Sequence, residues 1–419
     1  MSRIAARVSR SDSGALPWGS LLALAAAGFI TVAWETMPAG ILPVMSESLG
    51  VSESLAGQMV TVYAIGSIAG AIPIISATAG WPRRRLLTTA LLGFVVTMLI
   101  VAASPWFVVT LAARFVAGIF AGVLWGILAG YASRLTPQER RGQGLTIALS
   151  GPPIALAIGT PLGAFVADMV GWRLMFVILA GCTAATLVWV FIGVPDFPGQ
   201  PRGERVPVLK AARLPGVAGI IAASVFFVVG HNVLYTYAAP FLASLNMSKF
   251  IGAFLLTFGV CALIGLWVAG VVIDRHLRTV MIVSVILFAS SMLVLGILSR
   301  APALVFVSAG AWGLGFGAGG SAVPQTALAN AARSAVDTAQ SILVTAWNVG
   351  IATGGAIGGA VLAGIGAAAL PFTTFALLVP VLVIVLVARR HSFPRRRGPG
   401  DGSKSSAHPT RVQESPRGN

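Results

Sequence analysis

Twelve apolar runs, most of them about twenty residues long, leave this chain few ways to fold. They lie near 19–44, 54–77, 86–103, 107–132, 143–168, 173–194, 215–243, 250–273, 280–298, 303–330, 338–364 and 370–388. A run of that length crosses the ~30 Å hydrocarbon core of a bilayer as a helix. With no water there, each run must close its own backbone hydrogen bonds. The expectation is an all-α membrane protein of twelve transmembrane helices. Composition agrees, since only 10% of the 419 residues are charged and 57% are hydrophobic, whereas a soluble domain carries about 25% charged residues. The 49 glycines fit helices that pack closely in lipid.

A net charge of +16 suggests nucleic acid, but its distribution excludes that partner. The basic residues sit in short loops between runs. One set of loops holds Arg83, Arg84 and Arg85, then Arg134, Arg140 and Arg141, then Arg202, Arg205, Lys210 and Arg213, then Arg275 and Arg278, then Arg333. The opposite set holds Arg173, Lys249 and Arg300. Positive loops face the cytoplasm, and both tails join the rich set. The expected placement is multi-pass in the plasma (inner) membrane with both termini cytoplasmic. Eight Lys and Arg after the last run, Arg389 to Arg417, are placed to meet anionic lipid. Arg3, Arg7 and Arg10 before LLALAAAG imitate a secretory signal, but the run outlasts one and reads as an uncleaved first helix. Cys182 and Cys261 lie within apolar runs without metal-ligand spacing and read as packing residues.

The Pro-, Gly- and charge-rich stretch 195–214 divides six runs from six. This gives an N-terminal tail (1–18), a first six-helix bundle (19–194), a cytoplasmic linker (195–214), a second bundle (215–388) and a basic tail (389–419). The halves resemble each other: FITVAWETMPAGILP (29–43) aligns with FFVVGHNVLYTYAAP (226–240). Parallel six-helix repeats place a substrate site between them near mid-membrane.

The first run contains one carboxylate near its middle, Glu35. A charge at the centre of a span costs about 2.5–3.5 kcal/mol, so Glu35 is the leading candidate for proton coupling, substrate binding or both. A permanently protonated hydrogen bonder is the alternative. At 1.5 Å per residue, Glu35 and Arg114 share a depth of roughly 10–13 Å. Either they pair, directly or through water, or Arg114 binds backbone carbonyls while Glu35 faces a wet cavity by itself. His231 and Asn232 stand at the repeat positions of Trp34 and Glu35. With Tyr235 and Tyr237 they put polar groups into the seventh run; His231 is either a second proton site or a structural hydrogen bonder. Gln325, Trp347 and Asn348 are weaker cavity candidates, and Trp125 reads as packing. Asp168 reads as a solvated end charge near Arg173. Gly118, Gly122, Gly126 and Gly130 mark one face of the fourth run, Gly159 and Gly163 one of the fifth, and Gly350, Gly354 and Gly358 one of the eleventh. Such faces let backbones touch. Pro152, Pro153 and Pro161 should bend the fifth run.

Several of these stretches carry a family resemblance over roughly 18–388. WETMPAGILPVMSESLGVSESLAGQMVTVYAIGSIAGA, RFVAGIFAGVLWG (Arg114, Gly118, Gly122), GPPIALAIGTPLGAF (Gly151, Gly159, Pro161, Gly163) and GVVIDRHLR (Gly270, Asp274, Arg275, Arg278) resemble the major facilitator superfamily. The nearest branch is the twelve-span drug:proton antiporter type with sugar-efflux and chloramphenicol-efflux-like members. The resemblance implies two pseudo-symmetric six-helix bundles, a helix-packing antiporter motif in the fifth span and cytoplasmic gating loops. It departs from the pattern at GWPRRRLL (80–87), which lacks the loop's aspartate and leaves Arg83, Arg84 and Arg85 alone there. The implied function is proton-coupled efflux of a small amphipathic compound. The alternatives are a sugar or nucleoside exporter, a proton symporter, or a non-transporting receptor or scaffold. The chain has no Walker A sequence, HExxH, Cys-His cluster or Ser-His-Asp set, so no enzyme, cofactor or metal is expected. The driving force would be the proton gradient, and the chain is expected to be a monomer.

Overall fold

The computed structural model describes residues 16–71, 74, 77, 78, 80–198, 208–298, 301–332, 336–388 and 392–393. Helices occupy all twelve expected positions. They are α1 (Trp18–Leu49), α2 (Glu53–Ala71), α3 (Arg83–Ala103), α4 (Phe107–Leu135), α5 (Gln143–Val170), α6 (Trp172–Gly193), α7 (Val217–Tyr235), α8 (Ser248–Ile273), α9 (Arg275–Leu298), α10 (Pro302–Ala332), α11 (Thr338–Gly364) and α12 (Ala367–Val387). Among the described residues, eleven are long and apolar enough to cross a membrane. The twelfth position is that of α2, and part of its expected run lies outside the described residues. The fold is that of an all-α, multi-pass membrane protein.

Four helices are interrupted. Pro38 and Pro43 lie inside α1, which breaks at Ile41 (φ −129°, ψ 16°), because a proline removes an i→i−4 bond and crowds the preceding turn. The seventh run breaks after Tyr235 and resumes as a short helix, Ala238–Ser244. This is the stretch that aligns with the α1 break. In α5 the prolines produce a π-helical turn over Ala155–Gly159, and a second one over Ala318–Ala322 precedes Pro324 in α10. Such turns occur often at functional sites.

Glycines set how close the helices come. A Cβ on Gly118 would stand 2.0 Å from the Tyr63 carbonyl oxygen, and one on Gly66 would stand 2.1 Å from that of Phe115. The α2 and α4 backbones therefore touch. A Cβ on Gly151 would meet the Ala25 carbonyl at 2.0 Å, one on Gly163 the Met37 sulfur at 1.9 Å, and one on Gly159 the Phe29 ring at 3.0 Å. These glycines seat α5 against α1. The α4 stripe ends early: Gly122 is buried, Gly126 and Gly130 are exposed, and nothing lies within 4 Å of a Cβ on Gly130.

At the Arg-rich end of the bundle, the start of the linker folds back on the first half. The Arg84 backbone N–H, in the first turn of α3, donates to the Asp196 carboxylate (3.0 Å). The Arg83 N–H donates to the Phe197 carbonyl (2.9 Å). The carboxylate missing from 80–87 is thus supplied from more than a hundred residues away, at a helix N-terminus where an anion is favoured. The Arg84 side chain donates to the Phe191 carbonyl (3.3 Å), Arg134 to that of Pro198 (2.8 Å) and the Tyr131 hydroxyl to that of Pro195 (2.7 Å). Arg85 lies over the Trp81 ring at 4.9 Å.

In the second half, His276 breaks the join between α8 and α9 (φ −131°, ψ 32°). Arg278 donates to the Leu386 carbonyl at the end of α12 (3.1 Å). Gly270 and Arg275 are exposed, and the side chain of Asp274 lies outside the described residues. Arg173 binds the carbonyls of Ala102 (3.1 Å) and Ser104 (2.7 Å), while Asp168 is exposed. Cys261 packs near Gly310, but Cys182 is exposed on α6 and does not pack as expected.

Gly118→Ala is expected to lower the thermal unfolding temperature of the detergent-purified chain, because its new methyl meets backbone. Gly130→Ala should leave that temperature unchanged. Equal behaviour of the two would refute the close α2–α4 contact.

Candidate functional site

The site begins with a deficit in the α1 backbone. The Trp34 carbonyl would ordinarily accept from the N–H of residue 38, but residue 38 is proline and has none. Buried in hydrocarbon, such an orphan costs several kcal/mol. Arg114, projecting from α4 and 1% exposed, supplies the donors. Its Nη1 donates to the Trp34 carbonyl, its Nη2 to the Glu35 carbonyl (2.9 Å) and its Nε to the Met59 carbonyl of α2 (3.2 Å). The guanidinium also lies over the rings of Trp34 (4.8 Å) and Tyr63 (4.7 Å). This is the carbonyl-binding reading of Arg114 rather than the paired one.

The Glu35 side chain is thereby left free of a fixed partner. It is 7% exposed, and among the described residues no hydrogen bond to its carboxylate is present. Arg114 still acts on it electrostatically. The next residue, Thr36, spends its proton on the Val32 carbonyl (2.8 Å), so in the 2.7 Å contact with Thr160 of α5 the Thr160 hydroxyl is the donor. Beside that pair, within reach of both hydroxyls, stands the hydroxyl of Tyr235 from α7, which makes no well-aligned hydrogen bond among the described residues. Residues of α1, α5 and α7 therefore meet within a few ångströms of the carboxylate's helix.

His231 is buried among rings with its Nδ1 unpaired. Asn232 (7% exposed) and Asn348 (8%) are buried too, and each gives its amide to the carbonyl four residues back in its own helix. Gln325 is exposed, and its backbone carbonyl accepts from Gln340. Trp347 is half-buried with an unpaired Nε1, and Trp125 is half-buried against the core.

Tyr237 is placed differently from its neighbours. Its hydroxyl donates to the Gly355 carbonyl (2.9 Å) and accepts from Gln58 of α2 (3.2 Å), while Ser54 donates to the Gly359 carbonyl (2.7 Å). Tyr237 thus belongs to a seal between the halves at the Arg-poor end. A second seam runs along α5 and α8, where a Cβ on Gly259 would stand 2.2 Å from the Ala157 Cα. Gln58 and Ser54 carried no signal that would single them out in the sequence; only the α2–α11 packing reveals them.

The helical architecture and a buried carboxylate at the contact of the two halves define a membrane transporter. The family model described as Major Facilitator Superfamily matches residues 24–276 and again 250–416, and the chain belongs to that family. It is 30% identical over 409 residues to a chloramphenicol efflux pump of Mycobacterium tuberculosis, covering 92% of this chain and 97% of the relative. It is 29% identical over 391 residues to a Pseudomonas aeruginosa protein named transcription regulatory protein OpdE (90% and 95% covered). It is 28% identical over 355 residues to a purine ribonucleoside efflux pump of Salmonella enteritidis (83% and 89% covered). In fold it is similar to a bacterial homolog of the human lysosomal transporter Spinster, solved inward-facing and unoccupied. The TM-score is 0.69 at 14% identity, over 92% of this chain and all of that one. The chain is a secondary transporter and not an enzyme.

Arg114→Met should destabilise the chain by several kcal/mol, since each buried carbonyl left unpaired costs about 1–3 kcal/mol. Pro38→Ala restores a donor for the Trp34 carbonyl, so the double variant should be more stable than the sum of the singles by about 1 kcal/mol or more. Strict additivity in thermal or denaturant unfolding would contradict the carbonyl-binding role.

Proposed function

We propose that this chain exports a small amphipathic compound across the plasma (inner) membrane by alternating access, with proton movement through Glu35 as the driving step. The observation that carries this reading is the state of Glu35: a buried carboxylate whose nearest cation is committed to backbone carbonyls. Such a group can take a proton and release it as its surroundings change from dry to wet. A cationic or polar compound competes for the ionised form, and that competition is the least that antiport requires. Efflux is supported by the names of the mycobacterial and Salmonella relatives. The second of these also favours a nucleoside as the specific cargo.

With the Arg-rich loops and both termini in the cytoplasm, the Ser54, Gln58 and Tyr237 seal lies on the outer side. The conformation is then one closed to the outside. In this reading the chain works as a monomer, needs no cofactor beyond the proton gradient, and has only the substrate and the bilayer as partners.

The test is reconstitution into liposomes with an imposed pH gradient, assaying chloramphenicol and inosine movement. The wild type should move at least one of them only while the gradient lasts. Glu35→Gln should fall to the rate of protein-free liposomes in gradient-driven movement while unfolding at the same temperature as the wild type. Compound-for-compound exchange without a gradient separates the roles: retained exchange marks a proton carrier, lost exchange a residue that also holds substrate. Normal gradient-driven movement in Glu35→Gln would remove Glu35 from the mechanism.

A further inference from the structure

Among the rings that pack where α7, α8 and α10 cross, with Phe227, Phe254 and Phe288 around them, five form a group about His231. His231 lies over Phe316 at a centroid separation of 3.7 Å and an interplanar angle of 18°. It also stacks with Tyr235 at 4.8 Å and with Phe258 at 5.4 Å. Trp312 closes the group at 4.5 Å from Phe258 and 5.4 Å from His231. Four of the rings are buried; Phe316 is half-buried and keeps accessible surface.

Three of the five rings carry a polar atom: among the described residues His231 Nδ1 and Trp312 Nε1 are buried without a hydrogen-bond partner, and the buried Tyr235 hydroxyl has only the Thr36 and Thr160 hydroxyls within reach. An indole N–H can only donate, and a phenol O–H is a donor as well as an acceptor. Buried polar atoms are rarely left unpaired. Rings needed only to fill space would be served as well by Phe, without that cost. The surroundings are also neutral. No charged residue occurs in α7 or α10, and α8 has only Lys249 in its first turn. Charge lies across the junction, on Glu35, within electrostatic reach of Tyr235.

We propose that this cluster is an aryl-binding wall, taking a planar aromatic group that bears hydrogen-bond acceptors, such as a nitroaryl or a carbonyl-bearing heterocycle. The half-exposed Phe316 side chain is its movable member. Swinging aside, it opens the imidazole face for stacking and uncovers the donors of Tyr235 and Trp312. The polar or cationic end of the same compound then points to Glu35, so the two halves read opposite ends of one molecule. The wall's role in transport rests on the export reading above, but its ability to bind an aryl group does not.

The test is equilibrium dialysis with the purified full chain in detergent and no proton gradient, so failed transport and failed aryl binding stay distinguishable. The probes are p-nitrobenzyl alcohol, benzyl alcohol and cyclohexylmethanol. The wild type should bind p-nitrobenzyl alcohol saturably and cyclohexylmethanol about tenfold more weakly, a ratio that stacking can supply. Phe316→Leu should erase that preference. Tyr235→Phe keeps its ring and loses its donor, so it should still bind benzyl alcohol while its advantage for the nitro compound shrinks. Equal binding of p-nitrobenzyl alcohol and cyclohexylmethanol by the wild type would overturn the proposal. So would a folded Phe316→Leu variant that keeps the preference. Should Phe316→Leu not fold, an unchanged nitro-to-benzyl ratio in Tyr235→Phe overturns it equally.

Discussion

The first half of this molecule depends on one guanidinium serving carbonyls that proline and helix packing leave open. Pro38 breaks α1 where it would otherwise run straight through the membrane, and the break strands the Trp34 carbonyl in a region without water. Arg114 reaches across from α4 and binds the carbonyls of Trp34 and Glu35 on α1 and of Met59 on α2. Three helices are thereby tied at one point. The knot also explains how a lone carboxylate persists beside an arginine without being neutralised by it. Three of the cation's donors go to backbone, and among the described residues none goes to the Glu35 carboxylate, so Glu35 feels its field but shares no fixed bond with it.

The second half meets the corresponding break without an arginine. Around Tyr235–Ala238 the chain re-forms backbone bonds, with the Thr236 N–H reaching the Asn232 carbonyl and that of Tyr237 reaching Leu234. Rings fill the space instead of a cation. The repeat is therefore symmetric in where its helices break and asymmetric in what occupies the break: charge on one side, aromatic surface on the other. In the proposed binding mode, that asymmetry lets two similar bundles recognise different parts of one compound.

Much of the architecture was legible because the bilayer allows so little. Apolar runs of spanning length become helices wherever they occur, and the α5 glycines, with Gly118 on α4, mark close contacts. Glu35 stood out for the same reason, as a charge where charge is costly. The α1 break was legible in principle from Pro38 and Pro43, although apolar length alone suggests a straight span. The π-turn in α5 follows from its prolines only as a bend of unspecified kind. Asp196 was invisible as a partner of α3, since no local pattern links it to Arg84. Tyr237 and Tyr235 are two residues apart and look equivalent in sequence. The break between them turns one into the inter-half seal and leaves the other beside Thr36 and Thr160.

A transporter that alternates must hold each half firmly and the junction between halves weakly, and the bonding follows that division. Inside the first half, charged hydrogen bonds and two ring contacts surround one buried arginine, and charge-assisted bonds are roughly twice as strong as neutral ones. Between the halves, the seal consists of neutral bonds. Ser54 donates to Gly359 at 2.7 Å, Gln58 to Tyr237 at 3.2 Å, and Gln58 to Gly355 at 3.4 Å. Each is worth about 0.5–1.5 kcal/mol net, so the seal is weak beside the charged bonds within the first half. The glycines of α11 offer backbone rather than side chains there, so separating the surfaces disentangles no interlocked groups. The same residue type that holds α2 against α4 inside one half thus makes the contact between halves easy to release. What differs is whether a charged group stands beside it.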